Sequence, residues 1–393
     1  MQLHTEPDSR AAEPEPRSSL LLVSYNFPPR VGGIEQLCVE LARALHRLGV
    51  EVHVITKAQP GAASFDAGEP YTVHRYRAAD LGLYACVAAL LRQGHDRVLC
   101  MQWTSALWLA ARRALTGTPK TLAIMVMGKE IFPSPKSPFP KALLRHALRQ
   151  VVGAATQLFP ISHYTARLLG ELVSHPSVHV LTLAVDAHRF RRADPIDIDR
   201  VRAGRPGPFI LTTGRLVPRK GFDTLLRALP ALTRLHPSLS CFIAGDGPDR
   251  ARLDALAREL DVESHVEFLG RVDDEELRVL YSAADLFVLL SRRDAQGTDV
   301  EGFGLVLLEA QAAGTPVVST PEGGMSDAMQ PDITGLLVDP NDPQDFAERA
   351  GALLADAERR RVMSSAALSY ARAQTWQATA LRLLDILERD QPG

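Results

Sequence analysis

Cysteine is scarce in this chain, which has four among its 393 residues. They form no Cys-x-x-Cys pair and stand among apolar neighbours, at positions Cys38, Cys86, Cys100 and Cys241. This pattern excludes a disulfide-stapled scaffold and a cysteine-rich zinc domain. We expect buried, reduced thiols, as is usual for a cytoplasmic protein.

Long apolar runs and net charge are also lacking. No uncharged apolar run approaches the ~18 residues of a membrane span. Residues 1–18 are rich in Pro, Glu and Ser and lack the apolar core of a signal peptide, so we expect a disordered tail. The net charge of −2 gives no general attraction to nucleic acid, although residues 71–171 hold 13 Lys or Arg against 4 Asp or Glu. This local excess indicates an anionic partner or ordinary surface charge.

The length exceeds what one hydrophobic core usually fills, about 250 to 300 residues. Apolar strand-like runs alternate with amphipathic helical segments along most of the chain, which predicts parallel sheets covered by helices. This alternation of strands and helices stops at residues 186–208, which are charged and rich in Pro and Gly. We therefore predict an α/β protein of two Rossmann-like, doubly wound domains facing across a cleft. They span 19–190 and 208–375, with a linker at 191–207 and a C-terminal helix in 376–393 that is free to cross back to the first domain.

Four strand-to-helix loops carry candidate binding residues, because ligands of open parallel sheets bind at the carboxyl ends of the strands. In "TTGRLVPRKGFDTLL", Gly214 ends a strand, and Arg215 and Lys220 flank a turn before a helix. Two cations beside a helix N-terminus suit a diphosphate. Two solvated surface charges are the alternative. The glycines in "IAGDG", led by Gly245, and the pair Gly32-Gly33 predict close backbone approach or plain turns.

The stretch "DVEGFGLVLLEAQAAG" places two carboxylates eight positions apart, Glu301 and Glu309, around an apolar helix. The amides of Gly302, Phe303 and Gly304 would stand at its N-terminus, which attracts anions. A carboxylate on or beside an apolar face has a cost unless it meets donors, and vicinal ribose hydroxyls are such donors. Alternatively, Glu301 is a charge that interacts with the helix dipole, and Glu309 is a surface residue whose carboxylate reaches solvent.

These motifs together resemble glycosyltransferase family 4, whose members are retaining, nucleotide-sugar-dependent enzymes with the GT-B fold. The resemblance spans residues 20–340, nearly the whole chain, in the family's order. The matching segments are "PPRVGGIEQLCVELARAL", "ISHYTARLL", "LAVDAHRF", "GRLVPRKGFDTLLRAL", "IAGDGPDRARL", "VEFLGRV", "EGFGLVLLEAQAAGTPVVST" and "GLLVDP".

The resemblance implies a role for each matching residue. Glu301, Arg215 and Lys220 would be catalytic, with the two cations on the donor diphosphate and Glu301 beside the transferred sugar. Glu309 would hold the ribose. The further donor-binding positions would be Gly32, Gly33, Gly214, Gly245, Arg271, Val272, Gly302, Phe303, Gly304 and Leu305.

One position departs from the family pattern. Met127 stands where a histidine that contacts the transferred sugar is expected, whereas Gly128 and Glu130 fit the pattern. Methionine offers only a weak acceptor and apolar bulk. Three readings stay open: a donor without a polar C6, replacement of the histidine by Lys129 or His163, or a slow or inactive protein.

On the acceptor side, Lys141, Arg145 and Arg149 form a basic helical stripe. Such a helix either lies on an anionic membrane or packs on the sheet with a solvated basic face. We expect a cytoplasmic enzyme, with attachment to the inner face of the membrane if the first reading holds. Its acceptor would be a glycan or lipid-linked, in cell-envelope polysaccharide, glycolipid or secondary-metabolite synthesis.

The sequence leaves open whether the donor is a GDP- or a UDP-sugar. A bound divalent ion is not expected, because no Asp-x-Asp pattern is evident, and no other cofactor is expected either. The alternatives are a GT-B epimerase or a weakly active nucleotide-sugar-binding protein. A dinucleotide-dependent oxidoreductase lacks support, because no Gly-x-Gly-x-x-Gly follows the first strand with an acidic residue further on.

Overall fold

The computed structural model describes residues 18–30, 32–77, 80–128, 131, 140–294 and 300–389. The first half of the chain forms a six-stranded, all-parallel sheet in the order β3-β2-β1-β4-β5-β6. Its strands are β1 (Ser19–Val23), β2 (Glu51–Lys57), β3 (Thr72–Tyr76), β4 (Arg97–Cys100), β5 (Thr121–Val126) and β6 (Gln157–Pro160).

The second half repeats this plan in another six-stranded parallel sheet, with the order β9-β8-β7-β10-β11-β12. Both sheets therefore have the strand order of a dinucleotide-binding fold, which reverses direction beside the first strand. The strands are β7 (Phe209–Thr213), β8 (Ser240–Ala244), β9 (Val266–Gly270), β10 (Leu286–Leu289), β11 (Val317–Ser319) and β12 (Gly335–Leu337). The predicted fold class is confirmed.

Fourteen helices are assigned among the described residues, and they connect the strands and cover the sheets, as parallel strands require. In the first half they are α1 (Gly33–Arg47), α2 (Ala62–Asp66), α3 (Asp80–Arg92), α4 (Leu107–Thr116), α5 (Lys141–Gly153) and α6 (His163–Gly170). The rest are α7 (Pro195–Arg202), α8 (Phe222–Leu235), α9 (Arg250–Glu259), α10 (Asp274–Ala283), α11 (Leu305–Ala312), α12 (Pro343–Ala355), α13 (Ala357–Ala373) and α14 (Trp376–Arg389).

Sequence periodicity explains why α1 forms where it does. Leu37, Leu41 and Leu45 recur at helical spacing and are fully buried against the sheet. The helix stops before Gly49, whose φ of 85° is a left-handed conformation that few other residues adopt. By contrast, β3 lies at the sheet edge and is only partly buried, so its sequence has no strong apolar run.

The stretch expected to be a linker, 191–207, contains helix α7. Asp194 caps it by accepting a hydrogen bond from the Ile196 amide at 3.0 Å, and Pro195 occupies its first turn. Arg202, at its end, pairs with Asp285 at 2.7 Å. Helix α7 is thus anchored to the second half of the chain rather than extended.

The last helix, α14, packs against the first half. Its buried residues Leu383 and Leu387 share one apolar core with Leu37 and Leu41 of α1. Backbone contacts reinforce the crossing, since the Val185 amide donates to the Gln374 carbonyl at 3.0 Å. The C-terminal segment therefore returns to the N-terminal domain.

The predicted burial of thiols is observed for Cys38, Cys100 and Cys241, while Cys86 is partly buried, and all four are free. Residues 1–17, the bulk of the predicted tail, lie outside the described residues. Among the helices that the structure describes, none combines the length and apolar character needed to cross a bilayer.

Replacing Leu383 by alanine should destabilise the protein by about 2–5 kcal/mol, because it opens a cavity between α14 and α1. Denaturant unfolding measures the change. Leu381→Ala on the same helix is the matched control, because Leu381 is 51% exposed and its truncation should cost less than about 0.5 kcal/mol. Equal losses for the two variants would contradict the packing of α14 described above.

Candidate active site

The candidate site lies where β7 and β10 end and the chain turns into α8 and α11. After Thr213, a short 3-10 turn at Pro218–Lys220 leads through Gly221 into α8. Gly221 has φ 71°, and a Cβ there would collide with the carbonyl oxygen of Leu290. Because the loop after β7 and the loop after β10 approach each other closely, Arg219 and Lys220 of the first lie beside Glu301 of the second.

Glu301 forms the charged centre of this site. Its Oε2 accepts from Lys220 Nζ at 2.5 Å and from Arg219 Nη1 at 3.0 Å, and its side chain is 19% exposed. Burial alone would raise the pKa of Glu301, but the charges and hydrogen bonds of Lys220 and Arg219 outweigh it and lower the pKa to about 2. The carboxylate is therefore ionised at neutral pH and joined to two cations.

The basic residues that face the site are not the two that the sequence predicted. Lys220 faces the site, as expected, and its neighbour Arg219 joins it there. Arg215 is exposed and, among the described residues, has no ion pair. Sequence reasoning missed Arg219, although the adjacent basic pair in "VPRK" signals that both side chains belong to the same turn.

Glu309 occupies a different environment, eight residues further on. Its Oε2 accepts from the Tyr281 hydroxyl on α10 at 3.0 Å. Burial raises the pKa of Glu309 to about 7, and the Tyr281 hydrogen bond and the charge of Arg189 only partly offset it. The sequence did not identify Tyr281 or Arg189, because each comes from a distant element without a motif.

Glycines bring the two halves together between these carboxylates. A Cβ on Gly302 would collide with the carbonyl oxygen of Met127 in the first domain, and one on Gly324 would collide with the Gly302 carbonyl. Gly304 caps α11 with φ 87°, and Phe303 is buried beside it. Leu305 begins the helix, so amides of this stretch stand at its N-terminus as the sequence predicts.

The loops after β7, β8 and β9 are joined through their backbones. The Gly214 amide donates to the Ala244 carbonyl at 3.0 Å, and the Gly245 amide donates to the Gly270 carbonyl at 2.6 Å. A Cβ on Gly245 would collide with the Gly214 carbonyl, so this glycine serves loop packing. Beyond Gly270, the Arg271 side chain is 87% exposed and Val272 packs partly on the core.

The first domain contributes two loops to the cleft. Gly32 and Gly33 are exposed at the start of α1, with Gly32 extended at φ 174°. After β5, Met127 is buried and Gly128 has φ 103°, a left-handed conformation. Lys129 and Glu130 lie outside the described residues.

Polar contacts link the two domains beside Met127. His163 Nδ1 lies 2.9 Å from Asp327 Oδ1, and the His163 amide donates to Asp327 Oδ2 at 2.6 Å. Arg293 donates to the Tyr164 hydroxyl at 2.9 Å. His163 is therefore held at the domain junction, although its side chain is 74% exposed.

Solved structures share this architecture. The crystal structure of Anabaena HepE in complex with UDP superposes with a TM-score of 0.77 at 20% identity, covering 95% of this chain and 100% of that one. The chain therefore has the GT-B fold of the nucleotide-sugar glycosyltransferases.

The sequence comparisons identify the family. Residues 31–189 match the model described as Glycosyltransferase Family 4, and residues 196–369 match that of Glycosyl transferases group 1. The chain is 33% identical over 392 residues to the GDP-mannose-dependent alpha-(1-6)-phosphatidylinositol monomannoside mannosyltransferase of Mycobacterium tuberculosis, covering 95% of this chain and 99% of the relative. It is 32% identical over 399 residues to the D-inositol 3-phosphate glycosyltransferase of Salinispora tropica, at 90% and 80% coverage.

The chain belongs to glycosyltransferase family 4, and it is a glycosyltransferase that transfers a sugar from a nucleotide-sugar donor. The predicted family and enzyme class are confirmed. The individual site residues, the stereochemistry, the independence from metal and the membrane contact stay predictions.

The pKa of Glu309 generates a stability prediction. Because its folded pKa of about 7 exceeds the ordinary value of 4.5, the folded state binds this proton more tightly than the unfolded chain. The protonated Glu309 therefore contributes to the free energy of unfolding in full below about pH 4.5, and this contribution is lost as the pH rises to about 7. Glu309→Gln should therefore gain stability relative to wild type on going from about pH 5 to about pH 8, by on the order of 1–3 kcal/mol.

Thermal unfolding at several pH values measures this difference. Glu348→Gln, on the exposed face of α12, is the matched control and should show no such trend. A pH-independent difference between Glu309→Gln and wild type would show that burial does not perturb this carboxyl.

Proposed function

We propose that this enzyme is a retaining mannosyltransferase that moves mannose from GDP-mannose to a glycosylated phosphatidylinositol at the membrane surface. The observation that carries the proposal is the match to the mannosyltransferase of M. tuberculosis along nearly the full length of both chains. The inositol acceptor of the S. tropica relative supports an inositol-bearing acceptor. The site residues support the donor half of the reaction.

Lys220 and Arg219 supply the charge that a leaving diphosphate needs. Glu301 pairs with both cations, and its single negative charge leaves the three side chains together with an excess of positive charge. A bound diphosphate would compete for them, and charge-assisted hydrogen bonds to its oxygens would strengthen as the glycosidic bond breaks. Arg215, exposed at the other end of the same loop, is free to turn toward the same diphosphate. Lys220 and Arg219 therefore stabilise the leaving group.

Glu309 suits the ribose. It lies in the middle of α11, about one turn beyond the helix amides that would face the phosphates, and Tyr281 fixes one of its oxygens. Two ribose hydroxyls donating to the carboxylate would favour its ionised form over the protonated one. Donor binding would thus draw the proton off Glu309.

Retention would follow from attack on the same face that the diphosphate leaves. Glu301 is held ionised by two cations, so it is a poor acid at neutral pH, and its negative charge suits a sugar that becomes positive in the transition state. The leaving phosphate oxygen would take the proton of the acceptor hydroxyl. This route needs neither a covalent intermediate nor a metal ion.

Mannose carries a 6-hydroxyl, so GDP-mannose disfavours the reading in which Met127 selects a deoxy sugar. We infer that Met127 lines the sugar pocket as apolar bulk and that another group binds the 6-hydroxyl. His163 is a candidate because it is exposed where the two domains meet, two residues after Ile161, whose side chain faces Gly302 as the Met127 carbonyl does.

Helix α5 is our candidate for membrane attachment. Its residues Leu148 and Val152 are buried against the sheet, so its amphipathic face is used in packing. Leu143 is nevertheless 52% exposed, and Arg145 is exposed one turn away. Arg149 is also exposed, and its Nε donates to the Leu172 carbonyl at 2.9 Å. Helix α5 connects the parallel strands β5 and β6, so its first turn, which contains the exposed leucine, lies on the side of the sheet where the strands end and where a lipid acceptor would enter.

The purified chain should transfer mannose from GDP-mannose to phosphatidylinositol monomannoside, and it should use UDP-glucose and GDP-fucose poorly. Lys220→Ala should lower kcat by about 10²–10³ because it removes a preorganised cation from the leaving group. Product formation measured by mass spectrometry tests both statements. Lys120→Ala, at a 78% exposed lysine, is the matched control and should retain wild-type turnover.

Wild type and Met127→His, assayed with the same donors, test the three readings of this position. Use of GDP-mannose by wild type, with higher turnover in Met127→His, would refute the reading of a deoxy-sugar pocket. Turnover of GDP-mannose by wild type refutes inactivity, and a preference for GDP-fucose would instead favour a pocket for a deoxy sugar. If wild type uses only UDP-sugars, the proposed donor is wrong.

Vesicles of equimolar phosphatidylinositol and phosphatidylcholine should bind the protein more tightly than phosphatidylcholine vesicles do. Arg145→Glu should weaken this binding at least about fivefold, since each basic residue near an anionic surface contributes ~1 kcal/mol. Cosedimentation measures it. Arg361→Glu, at an exposed arginine on α13, is the matched charge reversal and should have no effect. Absence of binding at low salt would refute the attachment.

A further inference from the structure

A cluster of histidines lies at the opposite edge of the first sheet from the cleft. Glu51 is the first residue of β2, and His53 follows on the same face of that strand. His74 comes from β3, next to β2 in the sheet, and His95 precedes β4. The cluster therefore sits near the amino ends of the strands, whereas the donor loops follow the carboxyl ends.

Three of these side chains converge closely enough to share one ion. Glu51, His53 and His95 each offer a ligand atom, and the three atoms all lie within 4.8 Å of one another. His53 Nε2 is 3.2 Å from Glu51 Oε1, and the His53 and His95 rings are 4.5 Å apart between centroids. Zinc ligands at about 2.0–2.2 Å from the metal stand roughly 3.4 Å from one another in a tetrahedron. The half-exposed Glu51 side chain can make the small adjustment.

The second ring nitrogens are already engaged. His53 Nδ1 lies 3.0 Å from His74 Nε2, and His95 Nδ1 lies 2.9 Å from the hydroxyl of Ser19. This leaves Nε2 of each histidine as the nitrogen available to an ion, and His53 Nε2 already faces Glu51. Metal-bound histidines have this arrangement, in which a hydrogen bond to the other nitrogen fixes the tautomer and the ring orientation.

We propose that Glu51, His53 and His95 form a Zn²⁺ site, with His74 and Ser19 orienting the two imidazoles. Two nitrogens and one carboxylate oxygen are a ligand set that zinc accepts, and water would complete the tetrahedron. The site joins the amino end of β2 to the segment before β4, across the amino end of β1, which lies between these two strands. Its distance from the donor loops assigns it to stability rather than to sugar transfer, so it does not depend on the proposed function.

Burial prepares the histidines for a metal. The His53 side chain is only 11% exposed, so packing already fixes its ring and little rotamer freedom is lost when it binds an ion. Glu51 brings the negative charge that an ion in this position needs.

Zinc titration of the full-length chain without a histidine tag tests the site. We expect a single equivalent to bind and to raise the melting temperature, because an ion that binds only the folded state stabilises it by mass action. Co²⁺ in its place should give the visible absorption of a tetrahedral nitrogen and oxygen site. Chelation should reverse both effects.

Glu51→Gln and His95→Gln remove ligands at accessible positions, and each should abolish the stoichiometric binding while preserving the circular dichroism spectrum. His74→Gln keeps all three ligands and should weaken affinity roughly 10-fold or more through the lost orienting bond. His146→Gln, at an exposed histidine on α5, is the matched control and should bind like wild type.

Two results would overturn the proposal. One is the absence of stoichiometric binding to the folded wild-type chain. The other is unchanged affinity in both Glu51→Gln and His95→Gln, which would assign any bound zinc to adventitious surface sites. Mannosyl transfer should be unaffected by these substitutions, so the outcome is independent of the donor assays.

Discussion

Parallel strands impose the constraint on which the rest of this molecule depends. Each parallel neighbour requires a crossover, and each crossover in these sheets leaves a loop at the carboxyl edge before a helix begins. Two sheets with the same strand order therefore collect their irregular backbone, their helix N-termini and their glycines along two facing edges. Glu301, Lys220 and Arg219 lie in such loops, and the apolar strands and helices between the loops hold them in place.

The two glutamates of α11 and its preceding loop show how environment, rather than residue type, decides chemistry. Glu301 and Glu309 are both withdrawn from water, yet one has its pKa lowered to about 2 and the other has it raised to about 7. Two cations reach the first, whereas a neutral phenol reaches the second. The first carboxylate is therefore ionised at neutral pH, whereas the second has a pKa close to neutral and its charge depends on its surroundings.

Much of this could be predicted from sequence because the relevant signals are local. Apolar periodicity located helices such as α1, α8 and α14 but missed α13, which has few buried apolar residues, and the glutamate pair with its intervening glycines marked a loop at which the two domains meet. The misses were of another kind. The edge strand β3 lacks an apolar run because it is half exposed, and α7 was hidden by its charge, although Asp194 and Pro195 are start signals. Tyr281 and Arg219 could not be assigned because their partners come from elements brought near only by folding.

The return of α14 to the first domain has a mechanical consequence. The polypeptide passes between the lobes twice, once ahead of α7 and again at the start of α14, and the Val185 amide bonded to the Gln374 carbonyl lies where these passages run side by side. A single connection would allow one domain to rotate about several axes relative to the other. Two adjacent connections form a hinge, which restricts relative rotation to one axis. Such a connection keeps the two sheet edges aligned, so that Met127 of one lobe stays opposite Gly302 of the other.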